Sequence, residues 1–394
     1  MRLGLSKNQT LINPLKEALI LGCGIVGSAM ALDLAKRADL SVTVADARTD
    51  ALARLAAKAK VRTRQADLSR PEVVKELAHE ADVVLGALSS VLGLQTLRAV
   101  IEAGKSYCDI AFMSENALEL DPLAREKGVT AVVDCGVAPG MSNMIAGFAA
   151  ATLAPCEEIE IYVGGLPVVR QWPFEYKAGF APFDVIEEYT RPSRIVVSGQ
   201  VVVKEALSEP ELLDLPGVGT LEAFNTDGLR SLVHTLANVP NMKEKTLRYP
   251  GHIALMKAFR ETGLFSLDPV EVNGVSIRPR DLLAKLLFPK WTYADGEADL
   301  TVMRITATGN RCGTRVKMTW DLLDYYDPAT GIRSMSRATA FPATIVAGML
   351  LSGEFKRPGV HPPENLGKQP GFLAKVLLQL EESGVRYAFR EEPA

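Results

Sequence analysis

Between Glu17 and about Ala150 short apolar runs alternate with helical patterns, and few folds accept that alternation. Ala18–Leu21, Ser41–Ala45, Val61–Arg64, Asp82–Leu85, Ser106–Asp109 and Val129–Val133 read as strands, with helices between them. Several are continuously apolar and β-branched, as strands covered on both faces are. Strand–helix repetition of this kind predicts an α/β fold with an N-terminal, doubly wound parallel sheet of Rossmann type. After Pro155 the texture changes: Glu158–Gly164, Arg194–Val203, Asp299–Thr308 and Thr314–Tyr325 are longer strand patterns, which suggest a second α/β domain on a mixed or antiparallel sheet. Helical patterns cover Asp227–Ala237, His252–Glu261, Phe341–Leu351 and Phe372–Gly384, the last followed by the short run Val385–Phe389.

The first strand runs directly into Gly22-Cys23-Gly24-Ile25-Val26-Gly27 and then a helix of small residues. A lone G-x-G-x-x-G is weak, but between a strand and a helix it is a dinucleotide signature. Gly22 permits the tight turn, Gly24 admits a pyrophosphate, and Gly27 lets helix and strand approach. The N–H groups of the helix start, around Ile25 and Val26, face the anion. Asp46 ends the second strand, where a carboxylate accepts the adenosine ribose hydroxyls and repels a 2′-phosphate, so NAD is the expected cofactor. Ala47 lies beside it, and Arg48 two residues on keeps NADP open. Asp67 and Ala87-Leu88-Ser89 follow the third and fourth strands at the carboxyl edge, where open α/β sheets bind ligands. Asp67 reads equally as a turn residue. Pro139 and Gly140, in a loop at the sixth strand's end, are expected against the nicotinamide.

Other classes fit poorly. A formal net charge of −3 offers no field for nucleic acid or an anionic membrane, and no run approaches a membrane span. The first fifteen residues lack a leader pattern, which makes the cytoplasm the expected location. With 47% apolar and 23% charged residues, 394 in all, the chain suits two folded domains that bind a small molecule. Five cysteines without paired spacing or neighbouring histidines predict reduced thiols and no metal.

Several strings occurring in one order carry a resemblance: GCGIVG (Gly22–Gly27), DCGVAPGMSN (Asp134–Asn143), YVGGLP (Tyr162–Pro167), EEYTRP (Glu187–Pro192), EAFNTDGL (Glu222–Leu229), TLRYPGH (Thr246–His252) and PGVHPPE (Pro358–Glu364). Over nearly its whole length the chain resembles the saccharopine dehydrogenase-like family, and within it is most similar to the lysine 6-dehydrogenases. The resemblance implies a Rossmann domain at 1–145, an inserted substrate and dimerisation domain at 146–355, a segment 356–394 that returns to the first, and a homo-oligomer, dimer or higher. It also implies the reaction: hydride passes from Cε of L-lysine to NAD, and the imine hydrolyses to the semialdehyde, which cyclises, with loss of ammonia. Saccharopine reductases typically carry an acidic residue before the Pro-Gly pair and a cysteine before Gly-Gly-Leu-Pro. Here those positions are Ala138 and Val163, which leaves the proton-transfer residue unassigned.

Amine oxidation needs a base for the ammonium proton, charge near the developing iminium, and a cation for the carboxylate. Arg248 matches the family arginine that grips an amino-acid carboxylate. His252, opening a helix, is a candidate base, with a backbone-bonded histidine the even alternative. Asp109 and Asp134 terminate strands at the cofactor edge and are candidate catalytic charges, or loop caps. Thr226 and Asp227 are candidate substrate contacts, Asp227 serving at least as well as a helix cap. Glu188, on a strand or cleft lip, is a candidate for the α-amine or part of a solvated acidic face, and Tyr176 is a further candidate at the substrate. If 176 and 177 lie on a strand, only one of Tyr176 and Lys177 points inward. The competing reactions are saccharopine oxidation and, in another class, non-catalytic sensing of the dinucleotide.

Overall fold

A computed structural model describes residues 15–394. The reading of the extreme N-terminus falls mostly on residues 1–14, outside the described ones. The first sheet holds β1 (Lys16–Leu21), β2 (Leu40–Asp46), β3 (Arg62–Gln65), β4 (Val83–Gly86), β5 (Ser106–Asp109) and β6 (Thr130–Val132), all parallel. Its order is 3-2-1-4-5-6, that of a dinucleotide-binding sheet. Alternation along β1 explains why it is covered twice. Ala18 and Ile20 pack under the helices Ile25–Leu34 and Ser334–Ser352, while Leu19 and Leu21 pack under Pro71–His79 and Gly93–Glu102. β3 is the exception, an exposed edge strand rich in Arg and Gln.

The second sheet takes β7 (Cys156–Pro167), β8 (Ser193–Val197), β9 (Gln200–Lys204), β10 (Glu211–Leu215), β11 (Gly219–Asn225), β12 (Asn241–Arg248), the long β15 (Asp299–Arg311) and β16 (Thr314–Tyr325), and β18 (Tyr387–Pro393). It is mixed, in order 10-11-12-7-15-16-18, with β12 and β7 its one parallel pair and β8–β9 hanging from β12. A small hairpin, β13 (Val270–Val272) and β14 (Val275–Ile277), stands apart. β17 (Gly359–His361) pairs in parallel with β6 in the first sheet, and β18 pairs with β16 in the second, so the last stretch adds a strand to each.

Five local expectations change. The single strand over Arg194–Val203 is a hairpin, turned at Ser198 and Gly199, both at positive φ. The helix over Asp227–Ala237 shrinks to Leu232–Thr235 because Asp227 is held by Arg194 and cannot cap it. Glu187 to Tyr189 lie on a helix, Pro182–Thr190, not a strand: Pro182 starts it, and Val185, Ile186 and Tyr189 recur on its buried face. The stretch carrying Tyr176 and Lys177 belongs to no strand. The helix expected from Phe341 begins seven residues earlier, at Ser334, because Asp299 of β15 accepts the N–H groups of Ser334 (2.7 Å) and Met335 (3.0 Å). That helix joins the lobes. Ala338, Phe341 and Ile345 share one core with β1 and β4 residues and with Met303, Ile305 and Trp320 of the second sheet.

Candidate active site

A cleft of about 770 Å³ opens between the carboxyl edge of the first sheet and the face of the second. Its floor is the glycine loop. Gly22 stands at φ +104°, and a Cβ there would meet the carbonyl oxygen of Ala87 at 2.4 Å, so the β1 and β4 loops touch through a position no side chain fits. Gly27, outside the cleft, presses against the Gly22 carbonyl, whereas a Cβ on Gly24 would meet only the Arg48 guanidinium, 4.0 Å away. The helix Ile25–Leu34 then points its unpaired N–H groups at the cleft, the arrangement a pyrophosphate requires.

Asp46 anchors this loop. Its Oδ2 accepts Cys23 N–H at 2.7 Å, and Oδ1 accepts Arg48 N–H at 2.8 Å and Arg48 Nε at 3.2 Å. Burial works against ionisation, but these bonds outweigh it and hold the carboxyl below the usual range. Ile25, Val26, Arg48, Ala87, Leu88, Ser89 and Pro139 also line the cleft. Ala47, Asp67 and Gly140 do not: Asp67 sits in an exposed turn, bonded to Ser69, and Gly140 is enclosed by its own loop at Gly136.

The facing wall comes from the second lobe. Arg248, at the end of β12, lies 4.3 Å over the Tyr176 ring; Nη2 donates to Glu188 at 2.5 Å, Nε to the Tyr189 hydroxyl and Nη1 to Leu247 O. Three of its five N–H groups are thus engaged. His252 stands behind it, outside the cleft. Its Nδ1 meets Phe174 O and its Nε2 the Tyr189 hydroxyl, both at 2.9 Å. Since a carbonyl only accepts, Nδ1 carries the proton, and Tyr189 donates to Nε2 while accepting from Arg248. Burial, with Arg248 nearby, lowers the imidazole to about 3, and neither nitrogen has a free lone pair toward substrate. The geometry makes His252 a support for Tyr189 and Arg248, the backbone-bonded alternative of the two readings, and removes it as a candidate base.

Asp109 and Asp134 also lie off the cleft. Asp109 is fully buried; its Oδ1 accepts Asp134 N–H at 3.0 Å, and Oδ2 has no partner. Burial and the Asp134 charge push it up to about 8. Asp134 pairs with Arg230 at 3.1 Å, tying the two lobes together. Asp227, on the cleft wall beside Thr226, makes two 2.8 Å bonds to Arg194.

The comparisons with known proteins divide the chain just after β6. Residues 18–132 match the model described as the saccharopine dehydrogenase NADP binding domain, and 136–385 that of the saccharopine dehydrogenase C-terminal domain. The chain belongs to the saccharopine dehydrogenase family. Family membership makes its cofactor a nicotinamide dinucleotide, to which the glycine cradle is suited. The chain is 22% identical to alpha-aminoadipic semialdehyde synthase, mitochondrial, of Bos taurus, over 94% of this chain and 47% of that protein. It thus spans about half that relative's length. It is 24% identical to carboxyaminopropylagmatine dehydrogenase of Synechocystis, over 91% of this chain and 95% of that one. In three dimensions it is similar to saccharopine dehydrogenase (L-Glu forming) of Saccharomyces cerevisiae, with TM-score 0.78, 19% identity and coverage of 96% and 100%; that likeness is one of fold. No helix among the described residues is long and apolar enough to cross a membrane.

Two cleft residues of this saccharopine dehydrogenase-family chain were not singled out by the sequence, Glu244 outside every quoted string and Arg191 inside EEYTRP. Glu244 lies on β12, and β-strand periodicity was the available signal: Met242, Glu244, Thr246 and Arg248 share a face, and the last three line the cleft. Its Oε2 accepts the Thr226 hydroxyl at 2.5 Å and Gly228 N–H at 3.1 Å. Arg191 closes the helix Pro182–Thr190 against Phe112, whose ring also carries Arg230. Its Nη1 is buried without a partner, and burial, then the Arg230 charge, lowers its pKa.

Proposed function

We propose that the protein oxidises the amine-bearing Cε of L-lysine with NAD, releasing ammonia and the 6-semialdehyde that cyclises on its α-amine. One observation carries the reading: Glu244, a buried carboxyl with no cation against it, shares a strand face and the cleft with Arg248, an acceptor for an ammonium beside a grip for one carboxylate, in a lining where carboxyls (Asp184, Glu187, Glu188, Asp227, Glu244, Asp295) outnumber arginines (Arg191, Arg248, Arg333), although Arg280 and Arg194 pair with Glu187 and Asp227. L-Lysine, with two ammonium groups and one carboxylate, is the cation such a lining favours. Saccharopine, with three carboxylates, is not.

The bound nicotinamide supplies the hydride acceptor. The glycine loop and Asp46 hold the dinucleotide, and Asp46, already ionised and facing the ribose position, selects NAD over its 2′-phosphorylated form. Arg248, fixed by Tyr189 and His252, turns its two remaining N–H groups to the amino-acid carboxylate, while Glu188 and Asp227 set a negative field for the ammonium groups. Tyr176 walls the pocket beneath the guanidinium.

A second reading, saccharopine oxidation, is favoured by two spare donors, Nη1 of Arg191 and Nε of Arg333, buried and without partners. Incubation with NAD and L-lysine, then with NAD and saccharopine, following reduced-nicotinamide absorbance, separates the two. Turnover of saccharopine alone rejects the lysine assignment, and tight NAD binding without turnover of either points to a sensor.

A further inference from the structure

We propose that Glu244 takes the proton from the substrate ammonium, with its Oε1 presented to the cleft while Thr226 and Gly228 pin Oε2. This deepens the amine-oxidation reading and rests on the same cleft. The other acids of the wall are spoken for: Glu188 by Arg248, Asp227 by both donors of Arg194, Glu187 by Arg280 and Asp184 by the Ser90 hydroxyl. Asp295 is exposed in a surface turn. Asp109, Asp134 and His252 lie off the cleft. Glu244 alone is a buried carboxyl on the cleft wall with no cation against it and, among the described residues, no protein partner on Oε1.

Its seat is made for it. A Cβ on Gly228 would fall 2.3 Å from the Glu244 carboxyl carbon, so glycine there is what lets the acid lie against the loop. The charged groups facing it are Glu188 from the helix Pro182–Thr190 and Asp227 from the loop after β11, with Arg248 two turns of the pleat away on its own strand. Burial, and then those two acids, against the Thr226 hydroxyl, push Glu244 up to about 8.

The step balances within the site. An N–H bond of the ammonium breaks and an O–H bond forms at Oε1. The freed nitrogen pair then forms the C=N bond as the C–H pair leaves as hydride to the nicotinamide, the oxidant.

The test uses the full chain with NAD, from pH 6 to 10, on whichever of L-lysine and saccharopine the wild type oxidises. Glu244→Gln is expected to lose about 10²- to 10⁴-fold in kcat, a general-base contribution, and to lose the rising limb of kcat/KM. Glu244→Ala is expected to regain turnover with added formate, which separates lost chemistry from lost folding. Thr226→Val removes a bond to the ionised form and is expected to move the rising limb to higher pH. A Glu244→Gln enzyme within threefold of wild type with the limb intact overturns the proposal, as does absence of formate rescue in a Glu244→Ala protein that still binds reduced nicotinamide dinucleotide. Saccharopine turnover in place of lysine turnover sinks the lysine assignment and leaves this test standing.

Discussion

The glycine loop and the wall opposite it are built on contrary principles. The loop works through backbone: Gly22 and Gly24 matter for the atoms they lack, and Asp46 serves it by accepting N–H groups. The wall works through side chains brought from far apart, Glu188 and Tyr189 from one helix, Thr226 to Gly228 from a loop, Glu244 and Arg248 from a strand. A backbone site tolerates change in most of its side chains but none in its geometry. A wall of paired charges fails when any one partner goes, because the other is left buried alone.

Substitutions sharpen this contrast, beginning with the largest effect. Arg248→Ala strands Glu188 and removes a donor to Tyr189, with an expected loss of about 3–5 kcal/mol, read from the denaturation midpoint. Pairing it with Glu188→Gln is expected to recover much of that. If the single variant is as stable as wild type, the wall is not a charge network. Asp46→Ala deletes charge-assisted bonds worth about 1.5–3 kcal/mol and is expected to weaken NAD about tenfold or more while NADP changes less. Equal weakening of both in a binding titration removes the ribose assignment. Gly22→Ala forces a side chain into a positive-φ position against Ala87, a strain of about 1–3 kcal/mol that should appear as a 10- to 100-fold rise in cofactor Kd.

The effect at Asp109 is spread over pH rather than set by one lost contact. Its native value, about 8, lies above the ordinary carboxyl value, about 4, so the native state holds its proton more tightly than the unfolded chain does. Its contribution to stability is complete below pH 4 and declines as pH rises toward 8. Asp109→Asn is expected to flatten that decline by up to about 1.4 kcal/mol per pH unit, measured by urea melts at pH 5 and 7.5.

The same contrast explains what was legible. The strand–helix alternation and the glycine loop are contiguous, and β1, β2, β4 and β5 lie within a residue or two of their expected bounds. His252 shows the opposite case: a helix-opening histidine suggested a base, but the groups that consume both its nitrogens, Phe174 and Tyr189, lie over sixty residues away in sequence. The early start of the helix at Ser334 had the same cause, since its cap, Asp299, sits on another element. Glu244 was within reach, because Arg248 was already a candidate and a period of two points at it.

The pairing of β17 with β6 carries a kinetic consequence. The first sheet receives its outermost strand only after β7 to β16 of the second sheet have been threaded, and the second receives β18 later still, so neither lobe reaches its final edge before the other is largely formed. Such non-local closure slows folding. A fragment ended at residue 132, although it holds the entire glycine loop, would leave β6 an open edge and uncover the apolar face under Phe341, and it should associate through that strand rather than persist as a monomer.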